Sequence, residues 1–307
     1  MSRRALCRSA SLCLFATLAA TTAHAANYVR SYLVDNVLLP TSGTEANSYA
    51  IDVDGDGFPD NGFGQVLAVL SAQGFDFLGS MDAAVASGSI VHLVGLQSTD
   101  VLFKNDPAAQ ATWCVGVPTA TPPLFNGTDN PSCADTSGIF VAALSGGSFT
   151  SPAPASTPNP VYVDIELAIG TSHMTLTVLN ARLSFTTNAA GNMPVGQING
   201  SIPHDNLLNT FPPTMSASCN ASIQSDPSSN ASTTCKGLFD TGCSGFPGYS
   251  GDGQIEVCEV TENSLIQALL QPDVQVADGG TLVDANSIGI RFTAIAHDRV
   301  FASGFEP

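Results

Sequence analysis

The alternation of hydrophobic and polar residues is clearest in the second half of the chain. It runs through residues 161–167 and 174–179 and continues through 182–186 and 197–202, with glycine and asparagine turns between the segments. A period of two predicts β-strands with one buried and one solvated face. The pattern therefore predicts an antiparallel meander, and residues 287–295 predict a last strand.

The first half mixes strand and helix patterns. Residues 28–39 and 90–96 predict strands, and residues 47–51 predict a short strand-like segment. Apolar residues at helical spacing predict helices over 64–73 and 81–86. This half is therefore expected to combine strands with short helices.

Four further segments complete the predicted fold. Short helices are expected at 205–210 and at 264–270, and Pro272 ends the second. Residues 104–137, rich in Pro, Asn and Thr, predict an irregular excursion, and residues 145–160 predict a linker or long loop. The predicted fold class is α+β, mainly antiparallel β-sheet with a few short helices packed against it.

The N-terminus has the pattern of a secretory signal peptide over residues 1–25. Arginines precede a short apolar stretch, and Ala23-His24-Ala25 has the A-x-A form of a cleavage site. We expect a protein that is exported to the periplasm, the cell surface or the medium. No stable membrane insertion is expected, because no later segment reaches transmembrane length without polar breaks.

The rest of the chain divides by composition into three regions. A strand, loop and helix region covers 26–150, a meander with a cysteine-rich acidic segment covers 151–299, and a tail covers 300–307. About 280 residues suffice for one large domain or two small ones. The sequence leaves open whether the first two regions form one domain.

The expected mature chain is strongly acidic. Cleavage after residue 25 leaves six basic residues against 26 acidic ones, a net charge of about −20. Such a surface repels nucleic acid and anionic membranes and attracts divalent cations. We therefore expect no nucleic-acid partner.

Six cysteines remain after the expected cleavage. An even number of cysteines in an exported chain predicts disulfides, with fifteen pairings to choose from. The absence of a C-x-x-C pair argues against a zinc site. Nearest-neighbour pairing is predicted, each bond closing a loop of about 15 to 20 residues: Cys114–Cys133, Cys219–Cys235 and Cys243–Cys258.

Residues 52–60, with the sequence DVDGDGFPD, carry the most specific chemical signal. Carboxylates at the first, third, fifth and ninth places and glycine at the sixth follow the spacing of an EF-hand calcium loop. Four carboxylates this close repel one another unless a cation neutralises them. We expect Ca²⁺ to be bound by five residues, the fourth through its backbone carbonyl: Asp52, Asp54, Asp56, Phe58 and Asp60.

This loop departs from a complete EF-hand. The twelfth place is Phe63 rather than the bidentate Glu, and a strand-like segment is expected where the first helix belongs. The alternative is an acidic, glycine-rich turn without metal. If calcium binds, a structural staple is favoured over a switch, because a calcium sensor needs paired helices that open.

A second acidic segment matches the later half of such a loop. Asp252, Glu256 and Glu259 fall at the fifth, ninth and twelfth places, with Gly253 at the sixth. The first place lacks a carboxylate unless Asp240 is recruited across an insertion. The alternative is an acidic helix start that favours the helix dipole. The calcium interpretation predicts five ligands: Asp240, Asp252, Gln254, Glu256 and Glu259.

No known catalytic motif is present, whether a nucleophile elbow, a zinc-protease helix or a nucleotide-binding loop. Asp164 and Glu166 share one strand face and could form a glycosidase-like pair, although a solvated sheet face is the simpler interpretation. Trp113 could pack on a disulfide or stack on a sugar. The mature histidines are interpreted as structural: His92, His173, His204 and His297.

The favoured function is an exported calcium-binding protein of structural or ligand-binding type, not an enzyme. Its expected partner is a protein or a polysaccharide. The alternative is a secreted hydrolase, carbohydrate-active in one version, whose motif is not recognisable. A deep polar pocket would favour the hydrolase, and a flat acidic surface would favour the structural protein.

Three blocks of the chain resemble uncharacterised exported bacterial proteins, many of them lipoproteins. The blocks are residues 52–64 with the helix that follows, residues 196–203, and residues 264–292. The resemblance covers about half of the mature chain. It implies a surface or periplasmic location and calcium loops, with no known activity. The chain departs from it in lacking a lipobox and in the insertion before Asp252.

Overall fold

The computed structural model describes residues 27–134, 138–152, 161–245, 248, 250–278, 280–296 and 301–303. The predicted signal peptide (1–25) lies outside the described residues, as do His297, residues 153–160 of the predicted linker and the tail beyond residue 303. Within the described residues, no helix is both long and apolar enough to cross a membrane.

The helices of the described chain come in two groups, one after the first strand and one after the eighth. The helices are α1 (Gly43–Ser48), α2 (Gly62–Ala72), α3 (Phe77–Ser87), α4 (His204–Ser225), α5 (Asn230–Phe239), α6 (Val257–Glu262) and α7 (Ser264–Leu269). The strands are β1 (Asn27–Leu38), β2 (His92–Ser98), β3 (Asp106–Val115), β4 (Ile139–Ser145), β5 (Ser148–Thr150), β6 (Val163–Ile169), β7 (Ser172–Thr186), β8 (Met193–Pro203), β9 (Val274–Asp278), β10 (Thr281–Ala296) and β11 (Phe301–Ser303).

The strands form one antiparallel sheet that closes on itself. The order runs β1, β2, β3, β4, β5, β7, β8 and β10, and β10 pairs back with β1. In this closing seam Leu33 is opposite Ile295 and Val37 is opposite Phe292. Strands β6, β9 and β11 attach to β7, β10 and β1. The predicted mainly antiparallel α+β fold is confirmed, and strands from both halves of the chain share the sheet.

A single large core joins the sheet to the helices. Trp113 of β3 and Phe292 of β10 are fully buried, with ring centroids 5.2 Å apart. Phe63 of α2 meets Phe211 of α4 edge to face at 5.7 Å in the same core. Burying large aromatic side chains contributes about 1.5 to 3 kcal/mol each, so this cluster is a main source of stability.

The structure corrects both interpretations of Trp113. Its side chain is completely buried, and its Nε1 donates to Asp164 O at 3.0 Å, so it offers no surface to a sugar. Neighbouring residues of a strand point to opposite faces. Cys114 therefore lies in a separate cluster with Leu33 and Leu93, whereas Trp113 lies in the main core and not in the cluster of its neighbour Cys114.

The expected strand at 47–51 is wrong, because residues 43–48 form helix α1. Ser42 caps this helix by accepting from Glu45 N at 3.3 Å, and the Glu45 carboxylate accepts from Thr41 N at 2.8 Å. Reciprocal capping of this kind stabilises a helix start. These capping contacts favour a helix at residues 43–48, although the sequence of residues 47–51 by itself favours a strand.

The expected excursion at 104–137 is also wrong in its first part. Residues 106–115 form β3, a central strand, and Ala109 and Ala111 alternate inward with Trp113. Pro107, which made this segment look irregular, falls at a register shift in the pairing with β4. Proline is tolerated at such irregularities because the ladder bond is already missing there.

The short helix expected at 205–210 is instead the 22-residue helix α4, which contains Pro212 and Pro213. Its buried residues include Leu207, Phe211, Met215 and Cys219, each four positions after the last. This apolar stripe packs on the sheet. Its burial contributes more stability than is lost with the helix hydrogen bonds that the prolines cannot donate.

The predicted disulfides Cys114–Cys133, Cys219–Cys235 and Cys243–Cys258 are confirmed as nearest-neighbour pairs. The second joins α4 to α5, a helix that the sequence analysis did not predict. Disulfides of this kind are typical of proteins in oxidising compartments.

Candidate metal centre

The loop at residues 52–60 connects α1 to α2, so the acidic segment lies between two helices. Its ends are brought together by a bridge in which Asp60 N donates to Ile51 O at 2.7 Å. Gly55 and Gly57 have φ values of 87° and 92°, which a residue with a side chain rarely adopts. These two glycines allow the chain to turn tightly around its own carboxylates.

Three of the four predicted aspartates converge. Asp52, Asp54 and Asp60 each offer one carboxylate oxygen, and these oxygens lie within 4.8 Å of one another. Asp52 is held by bonds from Gly55 N at 2.6 Å and Gly57 N at 3.0 Å. Hard cations such as calcium prefer a set of carboxylate oxygens of this kind.

Asp56 and Phe58 are not part of that converging group. Asp56 Oδ1 accepts from Phe58 N at 2.8 Å, and the Phe58 side chain is 70% exposed. The phenyl ring therefore points away from the core at the tip of the loop, and a role of Phe58 as a ligand would fall to its backbone carbonyl alone.

The environment of Asp60 disfavours its negative charge. Burial, which has the largest effect, and the charges of Asp54, Asp273 and Asp56 together raise the pKa of Asp60 to about 6, although a bond from Val53 N lowers it. Between pH 4 and 6 the folded chain keeps a proton that the unfolded chain releases. Without a cation, the loop therefore loses stability as the pH rises through this window.

The twelfth place of the loop holds Phe63, as the sequence shows, and this side chain lies in the core against Phe211. No carboxylate occupies the place of the bidentate EF-hand ligand. Any ion in this loop therefore keeps coordination positions for water or for backbone oxygens.

Asn61, directly after the loop, joins it to the sheet. Its Oδ1 accepts from Gly64 N at 3.1 Å, capping α2, and from Gly289 N of β10 at 2.8 Å. Its Nδ2 donates to Ala46 O of α1 at 2.9 Å and to Gly289 O at 3.2 Å. One buried amide thus ties α1, α2 and β10 together.

A glycine at position 289 is required for the close approach of Tyr49, at the end of α1, to β10. A Cβ at position 289 would collide with the carbonyl oxygen of Tyr49 and with the side chain of Asn199. The same Tyr49 oxygen accepts from Gln197 Nε2 and from Asn199 Nδ2, both at 2.7 Å. The C-terminal end of α1, from which the loop departs, is therefore fixed on β8 and β10.

Asp273 holds the other side of the loop. Its carboxylate accepts from Gly62 N at 3.0 Å, from Ser287 N at 2.8 Å and from Ser287 Oγ. Gly62 is the first residue of α2, two positions after Asp60. No pattern in the sequence near the loop points to Asp273, because this residue lies more than 200 residues away from Gly62.

In the second acidic segment, Asp240 contacts the glycines on either side of Asp252, another predicted ligand. It follows α5, and its carboxylate accepts from Gly251 N at 2.6 Å and Gly253 N at 3.2 Å. Asp252 Oδ1 accepts from Gln254 N at 2.8 Å. These three bonds match those that Asp52 and Asp56 receive in the first loop.

The glutamates of this segment are arranged differently. Both oxygens of buried Glu259 are occupied, by Gly242 N at 2.6 Å and Glu256 N at 3.0 Å. Burial, Glu259 and Asp252 raise the pKa of Glu256, and its buried Oε2 has no hydrogen-bond partner among the described residues. In the described chain, only Asp52, Asp54 and Asp60 form a converging group of metal-ligating side chains.

The candidate glycosidase carboxylates have cross-strand neighbours on β7. Asp164 Oδ1 accepts from Thr177 Oγ1 at 2.8 Å, and Glu166 lies 3.4 Å from His173. His92 is buried beside Trp113, and His204 contacts Asn286. Each of the three described histidines therefore contacts at least one side chain of the fold.

Comparisons with known protein families, with curated proteins and with solved structures found no match for this chain. The function is therefore inferred from the residues of this chain alone.

Proposed function

We propose that the protein is an exported calcium-binding protein in which calcium acts as a structural staple. The converging oxygens of Asp52, Asp54 and Asp60 carry this proposal. Asp56 and the carbonyl of Phe58 complete the ligand set when the loop tightens on the ion. The three disulfides support an oxidising location outside the cytoplasm.

The electrostatics of the loop support a bound cation. The only salt bridge among the described residues joins His173 to Glu166, so no lysine or arginine there neutralises the loop. Asp60 is held in an environment that disfavours its charge. A divalent ion removes the repulsion between these carboxylates and lowers the pKa of Asp60.

The second acidic segment belongs to the proposal as a second calcium site. Asp240, Asp252, Gln254, Glu256 and Glu259 form it, with the unpartnered oxygen of Glu256 available to an ion. Its support is that Asp240 and Asp252 repeat the hydrogen bonds of the first loop.

The proposed role outside the cell is structural or ligand-binding, with a protein or a polysaccharide as partner. The loop is anchored to β8 and β10 on both sides, which suits a staple more than a moving switch. Pull-down with polysaccharides and with surface proteins, in the presence of calcium, tests the partner class.

Calcium titration with thermal unfolding tests the first site. With a dissociation constant between about 10⁻⁴ and 10⁻³ M, expected for a loop without the bidentate ligand, 10 mM calcium should stabilise the fold by about 2 kcal/mol. Asp54→Asn should weaken binding by about tenfold, because Asp54 is exposed and its loss removes charge without disturbing the core.

Asp82→Asn is the matched control, since Asp82 is an exposed carboxylate on α3. It should leave the calcium response unchanged. If millimolar calcium does not raise the melting temperature of the unaltered protein, the staple proposal is wrong.

A further inference from the structure

A groove between α4 and the α6–α7 segment takes no part in the calcium proposal. Its volume is about 230 Å³. On α4 it is lined by His204, Leu208 and Pro212, which are four residues apart and share one helix face. The opposite wall has a buried apolar floor, Ile266 and Leu270, and an exposed polar mouth.

Asn286 determines which nitrogen of His204 carries the proton. The Asn286 Nδ2 donates to Leu270 O at 3.3 Å and to Gln271 O at 2.9 Å, so its Oδ1 is an acceptor. That oxygen lies 3.1 Å from His204 Nδ1, which must therefore donate. The other nitrogen of the neutral ring, Nε2, is an acceptor. Among the described residues it has no hydrogen-bond partner, and it is not a buried atom.

Two further oxygens, both of residues that line the groove, can accept hydrogen bonds. Pro212 has no N–H, so the carbonyl of Leu208, four residues earlier, does not receive its helix bond. The side-chain nitrogen of Gln271 donates to Gln267 O at 2.8 Å, which leaves Gln271 Oε1 as an acceptor. The Thr261 hydroxyl is occupied by Val257 O at 2.8 Å. The groove therefore offers acceptors beside an apolar floor.

We propose that this groove binds a small primary ammonium ion on a short apolar stem. An ammonium has three donors and no acceptor, which complements His204 Nε2 and the oxygens of Leu208 and Gln271. The apolar floor takes the stem, and the net charge of −17 attracts a cation. The cavity is smaller than the roughly 300 to 1,000 Å³ of sites for drug-sized ligands, so benzylammonium is a suitable probe.

Titration with benzylammonium chloride, followed by NMR at pH 8 in EDTA, tests the proposal independently of calcium. We expect a dissociation constant on the order of 1 mM for a ligand of this size, and a shift of the His204 Nε2 nitrogen resonance. Benzyl alcohol, with the same stem and no charge, should bind at least about tenfold more weakly.

Gln267→Trp provides the structural control. Gln267 is exposed at the mouth, so a tryptophan there covers the groove without entering the core. It should abolish benzylammonium binding, whereas Gln224→Trp, at an exposed position of α4 outside the groove, should not. Equal binding of the alcohol and the ammonium, or unchanged binding in Gln267→Trp, would overturn the proposal.

Discussion

At the residue scale, His92 shows how one buried ring can set the acid sensitivity of the fold. It is 1% exposed, and its Nε2 accepts from Glu166 N of β6 at 3.1 Å. The neutral ring therefore carries its one proton on Nδ1, which has no hydrogen-bond partner among the described residues. A second proton, on Nε2, would replace the bond from Glu166 N by a repulsive contact between two N–H groups. Burial lowers the pKa of His92 to about 3.

The acid stability of the protein should therefore depend on His92. Below pH 6.5 the unfolded chain binds a proton that the folded chain excludes, so stability is lost as the pH falls from 6.5 toward 3. Between pH 7.5 and 4.5, the titration of His92 should lower the free energy of unfolding by about 2 to 3 kcal/mol. In His92→Gln, which keeps an acceptor but does not titrate, urea unfolding should show a correspondingly smaller loss. An equal loss in both proteins would contradict this account.

At the element scale, α5, the acidic segment and α6 form a helix, segment and helix unit. Asp240 ends α5 and reaches Gly251 and Gly253 across an insertion that lies inside the Cys243–Cys258 loop. The disulfide reduces the entropy lost when this insertion is ordered. The second proposed site therefore depends on that bond.

Calorimetry should find two calcium ions bound to the oxidised protein. Glu259→Gln should remove one of them, and so should the paired change of Cys243 and Cys258 to serine, because each releases part of the segment. Asp54→Asn weakens the other site, so the two losses can be told apart. A stoichiometry of one, unaffected by Glu259→Gln, would make this segment an acidic helix start.

Elements with a clear local period were predictable from the sequence. The strands β6 and β8 and the helices α2 and α7 follow their hydrophobic spacing. The two segments expected at 174–179 and 182–186 instead form the single strand β7, because the chain passes Asn180 as an irregularity in the pairing with β8 and not as a turn. Helix α4 and strand β3 were not predictable, because their prolines signal irregular structure and only burial against the sheet outweighs them.

The candidate site also has one part that could be predicted from the sequence and one part that could not. The spacing of Asp52, Asp54 and Asp60 follows from a local loop pattern and could be predicted. Its anchors could not, because Asn61 and Gly289 are 228 residues apart and nothing in the sequence near either one indicates the other. Asp240 was linked to this segment only because the EF-hand spacing requires a first ligand, and its bonds to Gly251 and Gly253 are known only from the structure.

At the scale of the whole molecule, the acidic loop lies beside the seam that closes the sheet. Strand β10 pairs with β1 on one side and with β8 on the other, and Asn61 and Asp273 tie the loop to residues 287–289 of β10. Calcium in the loop should therefore hold the closing strand in place, although its ligands lie outside the sheet.

Hydrogen exchange with calcium or with EDTA tests this expectation. Calcium should slow exchange in α1, α2 and residues 287–292 of β10, because local opening of β10 breaks the bonds to Asn61 that a filled loop stabilises. The hairpin of β4 and β5 has no hydrogen bond to the loop or to its anchors among the described residues, and it serves as the internal reference. Protection confined to residues 52–60 would show that the ion orders its own loop only. Equal protection in the hairpin would show that calcium raises the global free energy of unfolding and does not stabilise β10 in particular.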